Sequence, residues 1–192
     1  MNYVNSTLEL IGNTPLLKLN KIAKNIDANL FVKLELFNPS GSYKDRMALS
    51  MVEAAEKGLT WDGRKLDSGG TICDASAGNT APALAFICAV KGYKCVLCTY
   101  KTMLKGDSAR LKISDAYGAN IYECPHAPKE IIKELSEREK NYSFIIAGKH
   151  HMYQLERNNP EVVWVDQIYN KYNYIGQKNM GFEIYEQRSI DR

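Results

Sequence analysis

Long apolar runs are missing from this 192-residue chain, and none approaches the length a membrane span requires. The N-terminus, Met1-Asn-Tyr-Val-Asn-Ser-Thr7, has no basic stretch followed by an apolar core, so no secretory leader is expected. Cysteine is sparse. Five scattered residues, an odd number, argue against a disulfide framework. Together these absences point to a cytoplasmic protein with no membrane partner. An excess of one charge is lacking too. The 25 basic and 22 acidic residues leave a net charge of +3, too small and too mixed to suggest nucleic acid. Internal repeats and low-complexity segments are also absent.

What is present is ordinary globular composition, with 45% hydrophobic and 24% charged residues. The length suits one good core, or one domain with part of a second. Cys95 and Cys98 form a C-x-x-C within Lys94-Cys-Val-Leu-Cys-Thr99, which reads as a strand. Residues three apart on a strand face opposite sides, so the thiols diverge. No second cysteine pair or spaced histidine pair completes a metal site, and no metal is expected.

Strand and helix signals alternate through the middle of the chain. Strands are predicted at 30–34, 71–74, 94–99, 120–123 and 143–147, the last ended by Gly148. Helices are predicted at 44–57, 81–91, 105–117 and 128–140. Met47, Met51, Ala54 and Ala55 recur at helical spacing in the first, and Gly58 can close it. Pro82 fits the first turn of the second. Beyond Gly148 the pattern fades, with a polar run at 150–159 and a helical trace at 182–186. The fold class is α/β, a parallel sheet with helices on both faces and right-handed crossovers. Ligands of such sheets sit beyond the carboxyl ends of the strands.

Two loops can carry chemistry. Lys44 follows Asn38-Pro-Ser-Gly-Ser-Tyr43 and opens a helix that Ser42 can cap. A helix start disfavours a cation. Two readings stay open: a solvated surface lysine, or a lysine whose neutral amine is used for Schiff-base chemistry. The loop Ser76-Ala-Gly-Asn-Thr80 lies between a strand and a helix. Its amides can bind an anion such as a carboxylate, and Asn79 offers both donor and acceptor. An ordinary capped βα turn is the competing reading.

Asn38-Pro-Ser-Gly-Ser-Tyr-Lys-Asp-Arg46 resembles the signature of the cysteine synthase and cystathionine β-synthase family, the fold-type-II pyridoxal phosphate enzymes. Ile11-Gly-Asn-Thr-Pro-Leu16 is similar to that family's N-terminal motif, and Ser76-Ala-Gly-Asn-Thr80 to its Thr-Ser-Gly-Asn-Thr substrate loop. The three occur in the family's order, and the match runs through most of Leu8 to Ala119 and is weaker beyond. The resemblance implies pyridoxal 5′-phosphate as cofactor and Lys44 as its Schiff-base residue. Asn79 would bond the cofactor's 3′ oxygen. Ser76, Thr80 and the backbone of Ala77, Gly78 and Asn79 would hold the substrate carboxylate, with Gln154 reaching it as well. It further implies β-replacement or β-elimination on a β-substituted amino acid, first of all cysteine synthesis from O-acetylserine and sulfide. Cystathionine synthesis and sulfide release from cysteine are alternatives. A homodimer is expected on the same ground.

Three departures qualify the resemblance. Ala77 stands where the family has serine, which removes a hydroxyl contact worth about 0.5–1.5 kcal/mol. Tyr43 replaces a usual valine and is expected to narrow or reshape the pocket. Family members also continue past the point reached at Arg192, through a Gly-Thr-Gly-Gly-Thr-like loop that cradles the cofactor phosphate. Ser68-Gly-Gly70 is the one glycine-rich candidate here, but it precedes a strand and reads as a plain turn. The implied organisation is an N-terminal segment at 1–45 and a small α/β domain at 46–149. A truncated start of the cofactor-phosphate domain would follow at 150–192. A non-catalytic scaffold that binds a partner protein is the alternative of another class.

Overall fold

The computed structural model describes residues 3–76, 78–100, 108–126, 128–134 and 143–189. A short antiparallel pair, β1 (Leu16–Lys18) and β2 (Phe31–Lys33), leads into helix α1 (Lys44–Glu56). Then β3 (Thr71–Ala75), α2 (Thr80–Lys91), β4 (Lys94–Thr99), α3 (Ala109–Ala116) and β5 (Asn120–Glu123) alternate. Helices α4 (Lys129–Glu134) and α5 (Ser143–Asn158), strand β6 (Val162–Trp164) and helix α6 (Lys171–Ser189) complete the order.

Strands β3 to β6 form one parallel sheet in the order β5-β4-β3-β6. Alternation along each strand divides the core between its two faces. Ile72, Cys95, Leu97, Val163 and Val165 pack with Met47 and Met51 of α1 and Leu84 and Ile87 of α2. Cys73, Cys98, Val162 and Trp164 pack with Met152 of α5. The two thiols of the C-x-x-C thus belong to different clusters, as the strand period requires. Helix α2 is buried from Thr80 to Cys88, which explains its nearly uniform apolar sequence. Glycines end the first two helices where predicted: Gly58 has φ +69° and Gly92 φ +77°.

One expectation is overturned. Residues 143–147 are not a strand but the first turns of α5, which runs on to Asn158. Gly148 does not terminate anything. A Cβ placed there would lie 2.8 Å from the Ala75 Cβ, so glycine lets the helix lie against β3. The strand in this region is β6, which pairs with β3 and forms the edge of the sheet opposite β5. The trace at 182–186 belongs to α6. That helix lies along α1 at Gly176, where a Cβ would clash with the Arg46 carbonyl oxygen. Parts of the predicted helices, at 105–107 and 135–140, fall outside the described residues. Among the described residues no helix is long and apolar enough to cross a membrane.

Candidate active site

The loop before α1 is anchored on both sides of Lys44. Asn38 is buried; its Oδ1 accepts from Gly12 N at 2.9 Å, and its Nδ2 donates to Glu35. Ser40 donates from N (2.7 Å) and Oγ to Asp45, opposing the burial that raises that carboxyl's pKa. Ser42 Oγ accepts from Lys44 N at 3.2 Å, although Tyr43 and not Ser42 occupies the N-cap position of α1. Arg46 is held by two carboxylates, Nε–Glu35 Oε2 at 2.7 Å and Nη1–Glu183 Oε1 at 2.6 Å. Gly12 adopts φ +88° with Arg46 packed over it, so two of the sequence motifs are joined directly. Between these anchors Lys44 remains half-buried. Its only partner among the described residues is the Tyr43 ring, 4.9 Å from Nζ to centroid. Tyr43 is not among the residues that line the adjoining cavity.

Lys44 opens onto a cavity of about 310 Å³ at the carboxyl ends of β3 and β6, where a parallel sheet places its ligands. The loop after β3 forms one wall, with Ser76, Gly78, Asn79 and Thr80 all lining it. Ala77 lies outside the described residues. Ser76 Oγ accepts from Gly78 N at 3.2 Å, which leaves the hydroxyl proton to donate elsewhere. Arg110 of α3 donates to Asn79 Oδ1, fixing the amide so that its Nδ2 remains as donor. A Cβ built on Gly78 meets nothing within 4 Å.

The opposite wall was not legible from the sequence. It comprises Lys149 and Ile145 of α5 and Asp166, Gln167 and Ile168 after β6. Gln154, implied by the family resemblance, is exposed on α5 and does not line the cavity. Gln167 does. It accepts from Thr80 Oγ1 at 2.5 Å and donates from Nε2 to Ala75 O at 2.9 Å. The signal that would have found it is its place directly after a strand, but that strand, β6, was not predicted. Beneath the wall, Asp74 is 3% exposed and accepts from Ala75 N, Trp164 Nε1 and Gln167 N. Burial pushes its carboxyl up to about 7 against those hydrogen bonds. Lys149 pairs with Asp166 at 3.1 Å and sits 3.6 Å from the Tyr169 ring centroid.

An α/β scaffold thus places a half-buried lysine and an amide-rich turn on one cavity at the carboxyl ends of parallel strands, where such sheets take their ligands. Comparison with known proteins makes this specific. Residues 7–191 match the model of the family described as pyridoxal-phosphate dependent enzyme, and the chain belongs to that family. It is 39% identical over 143 residues to a cysteine synthase of Staphylococcus aureus, covering 73% of this chain and 44% of that protein. A hydrogen sulfide-producing enzyme from Fusobacterium nucleatum superposes with a TM-score of 0.75 at 30% identity, over 98% of this chain and 54% of that one. A cysteine synthase from Entamoeba histolytica gives a TM-score of 0.76 at 25% identity, over 98% and 50%. The chain thus spans about half or less of the length of these relatives.

The cofactor of this family is pyridoxal phosphate, and the donor set fits its ring end. Lys44 supplies an amine that no described carboxylate neutralises, Asn79 presents an oriented donor, and the space over Gly78 is open. Gly69 and Gly70 do not add a phosphate cradle. They form the turn before β3, at the other end of the sheet, where a Cβ on Gly70 would meet Asp67 O at 2.9 Å.

Proposed function

We propose that this chain forms the lysine and substrate-carboxylate part of a pyridoxal phosphate-dependent enzyme acting on a β-substituted L-amino acid. The first candidate reaction is cysteine synthesis from O-acetylserine and sulfide. What supports the reading is that Lys44 and the Ser76–Thr80 loop line the same cavity. Lys44 attaches the cofactor and Asn79 Nδ2 donates to its ring oxygen. The Ser76 hydroxyl and the amides of the loop, including Ala77, bind the substrate α-carboxylate at the start of α2, where the helix dipole favours an anion. Gln167 takes the part first given to Gln154, because its Nε2 keeps one hydrogen beyond the one that Ala75 O accepts. Thr80 acts through Gln167, its hydroxyl proton already donated to that side chain.

Pyridoxal phosphate, when bound, supplies the electron sink that lets a β-substituent leave and be replaced. The protein's part is proton movement: Lys44 Nζ, released by the incoming amino acid, takes the α-proton at short range. The hydrogen sulfide-producing neighbour keeps sulfide release from cysteine as a second reading. Assembly as a homodimer in the cytoplasm belongs to the same proposal, by analogy with the family. The visible spectrum tests it. Protein loaded with pyridoxal phosphate shows the absorption band of a lysine-bound cofactor, Lys44→Ala lacks it, and O-acetylserine perturbs it. No response to O-acetylserine, serine, cysteine or threonine favours instead a non-catalytic, partner-binding scaffold.

A further inference from the structure

Behind the cavity wall lie two thiols that the lysine chemistry does not use. Cys98 is on β4, and Cys124 immediately follows β5. The parallel register sets Cys98 opposite Tyr122, and Cys124 N donates to Thr99 O at 2.7 Å, turning its side chain back toward β4. The sulfurs are 3.0 Å apart, with Cys98 Sγ donating. Cys98 is 1% exposed, whereas Cys124 is only half-buried. The hydrogen bond from Cys98 lowers the pKa of Cys124, and the same bond together with burial raises that of Cys98. Cys124 is therefore the thiol that ionises and meets solvent, and Cys98 the one placed to resolve.

We propose that Cys98 and Cys124 form a dithiol site that reacts with low-molecular-weight disulfides and closes to an intramolecular disulfide, shifting the substrate loop. The Cys124 thiolate attacks one sulfur of R–S–S–R, forming Cys124–S–S–R and releasing RS⁻. Cys98 gives its proton to solvent, and its sulfur attacks Cys124 Sγ, forming the Cys98–Cys124 bond and releasing a second RS⁻. Two protein thiols lose two electrons, and the small disulfide is reduced to two thiols.

Closure draws the sulfurs from 3.0 Å to about 2.05 Å. That movement has a direct route to the site. The Cys98 carbonyl accepts the Ser76 N–H at 2.9 Å, and Ala75 pairs with Cys98 in the sheet. On the other side, a Cβ at Gly148 would lie 3.5 Å from Cys124 Sγ as well as against Ala75. The thiol pair, β3 and α5 are thus packed without slack beside the loop that lines the cavity.

The exchange needs no pyridoxal phosphate, so it stands or falls separately from the proposed function. Purified protein is incubated with oxidised glutathione, acid-quenched, alkylated, and analysed by intact mass, peptide mapping and amide hydrogen exchange. Wild type is expected to lose two alkylatable thiols, to yield a cross-linked 98–124 peptide, and to change exchange across residues 75–80, reversibly with dithiothreitol. Cys98→Ser is expected to stop with one glutathione on Cys124, and Cys124→Ser to take up none at Cys98. Retention of all five thiols in wild type, a stable glutathione adduct on Cys124, or pairing of other cysteines overturns the site. A 98–124 disulfide with unchanged exchange at 75–80 overturns its coupling to the loop.

Discussion

Lys44 and Lys149 both line the cavity, and their neighbours separate them. Lys149 is neutralised by Asp166 and covered by the Tyr169 ring. Among the described residues Lys44 has only an aromatic face beside it. At the same scale Asp74 makes a pH prediction. Its carboxyl titrates at about 7 in the fold against an ordinary 3.8, so the folded state holds the proton more tightly than the unfolded chain. Its share of stability is greatest below about pH 4 and is lost as pH rises to about 7, a displacement of roughly 4 kcal/mol. Asp74→Asn should flatten the fall in thermal midpoint between pH 5 and pH 8; an unchanged profile would remove Asp74 as its source. The residues legible in the sequence were those in contiguous motifs, Lys44 and Ser76 to Thr80. Gln167 and Asp74 act through contacts with residues about 90 positions away, and a linear pattern carries no trace of them.

Elements were legible where local period and packing agree. Helix α1, strand β4 and helix α2 have their expected bounds to within a residue or so, because glycine caps and apolar spacing mark them. Helix α5 is the exception. Ser143-Phe-Ile-Ile-Ala147 has the composition of a strand, yet Gly148, Met152 and Leu155 recur at helical spacing and turn toward the sheet. Reading Gly148 as a terminator hid that stripe, and hid β6 after it. Two glycines of α6 give a paired test. Gly176→Ala drives a Cβ into the Arg46 carbonyl and should cost about 1–3 kcal/mol in urea denaturation. Gly181→Ala meets nothing within 4 Å and should be neutral or stabilising by up to about 1 kcal/mol. Equal effects at the two positions would contradict the close helix crossing.

Across the whole molecule, one ionic cluster ties segments far apart in sequence. Lys33 of β2 and Arg46 of α1 both bind Glu183 of α6, and Arg46 also binds Glu35. Burial alone would raise the Glu183 carboxyl, but hydrogen bonds from Arg46 and Lys33 outweigh it and hold it at about 2. A group lowered in this way stabilises the fold above its ordinary value of 4.5, and that support disappears as pH falls from there toward about 2. Glu183→Gln should therefore reduce stability at neutral pH and make acid unfolding less steep in that window, as followed by circular dichroism. Arg46→Met leaves two carboxylates without their shared cation, and should cost about 3–5 kcal/mol. The cluster also explains why Asp45 and Arg46 accompany Lys44 in one motif: they fix the start of α1, and neither forms an ion pair with the lysine that precedes them.

Lys44, of all the lysines, is the residue proposed to carry the cofactor. Protein loaded with pyridoxal phosphate, reduced with borohydride and digested will retain the pyridoxyl label on the residue that held it. The predicted result is a single labelled peptide containing Lys44, with no label in Lys44→Ala. A label on Lys149, or on neither lysine of the cavity, would contradict it.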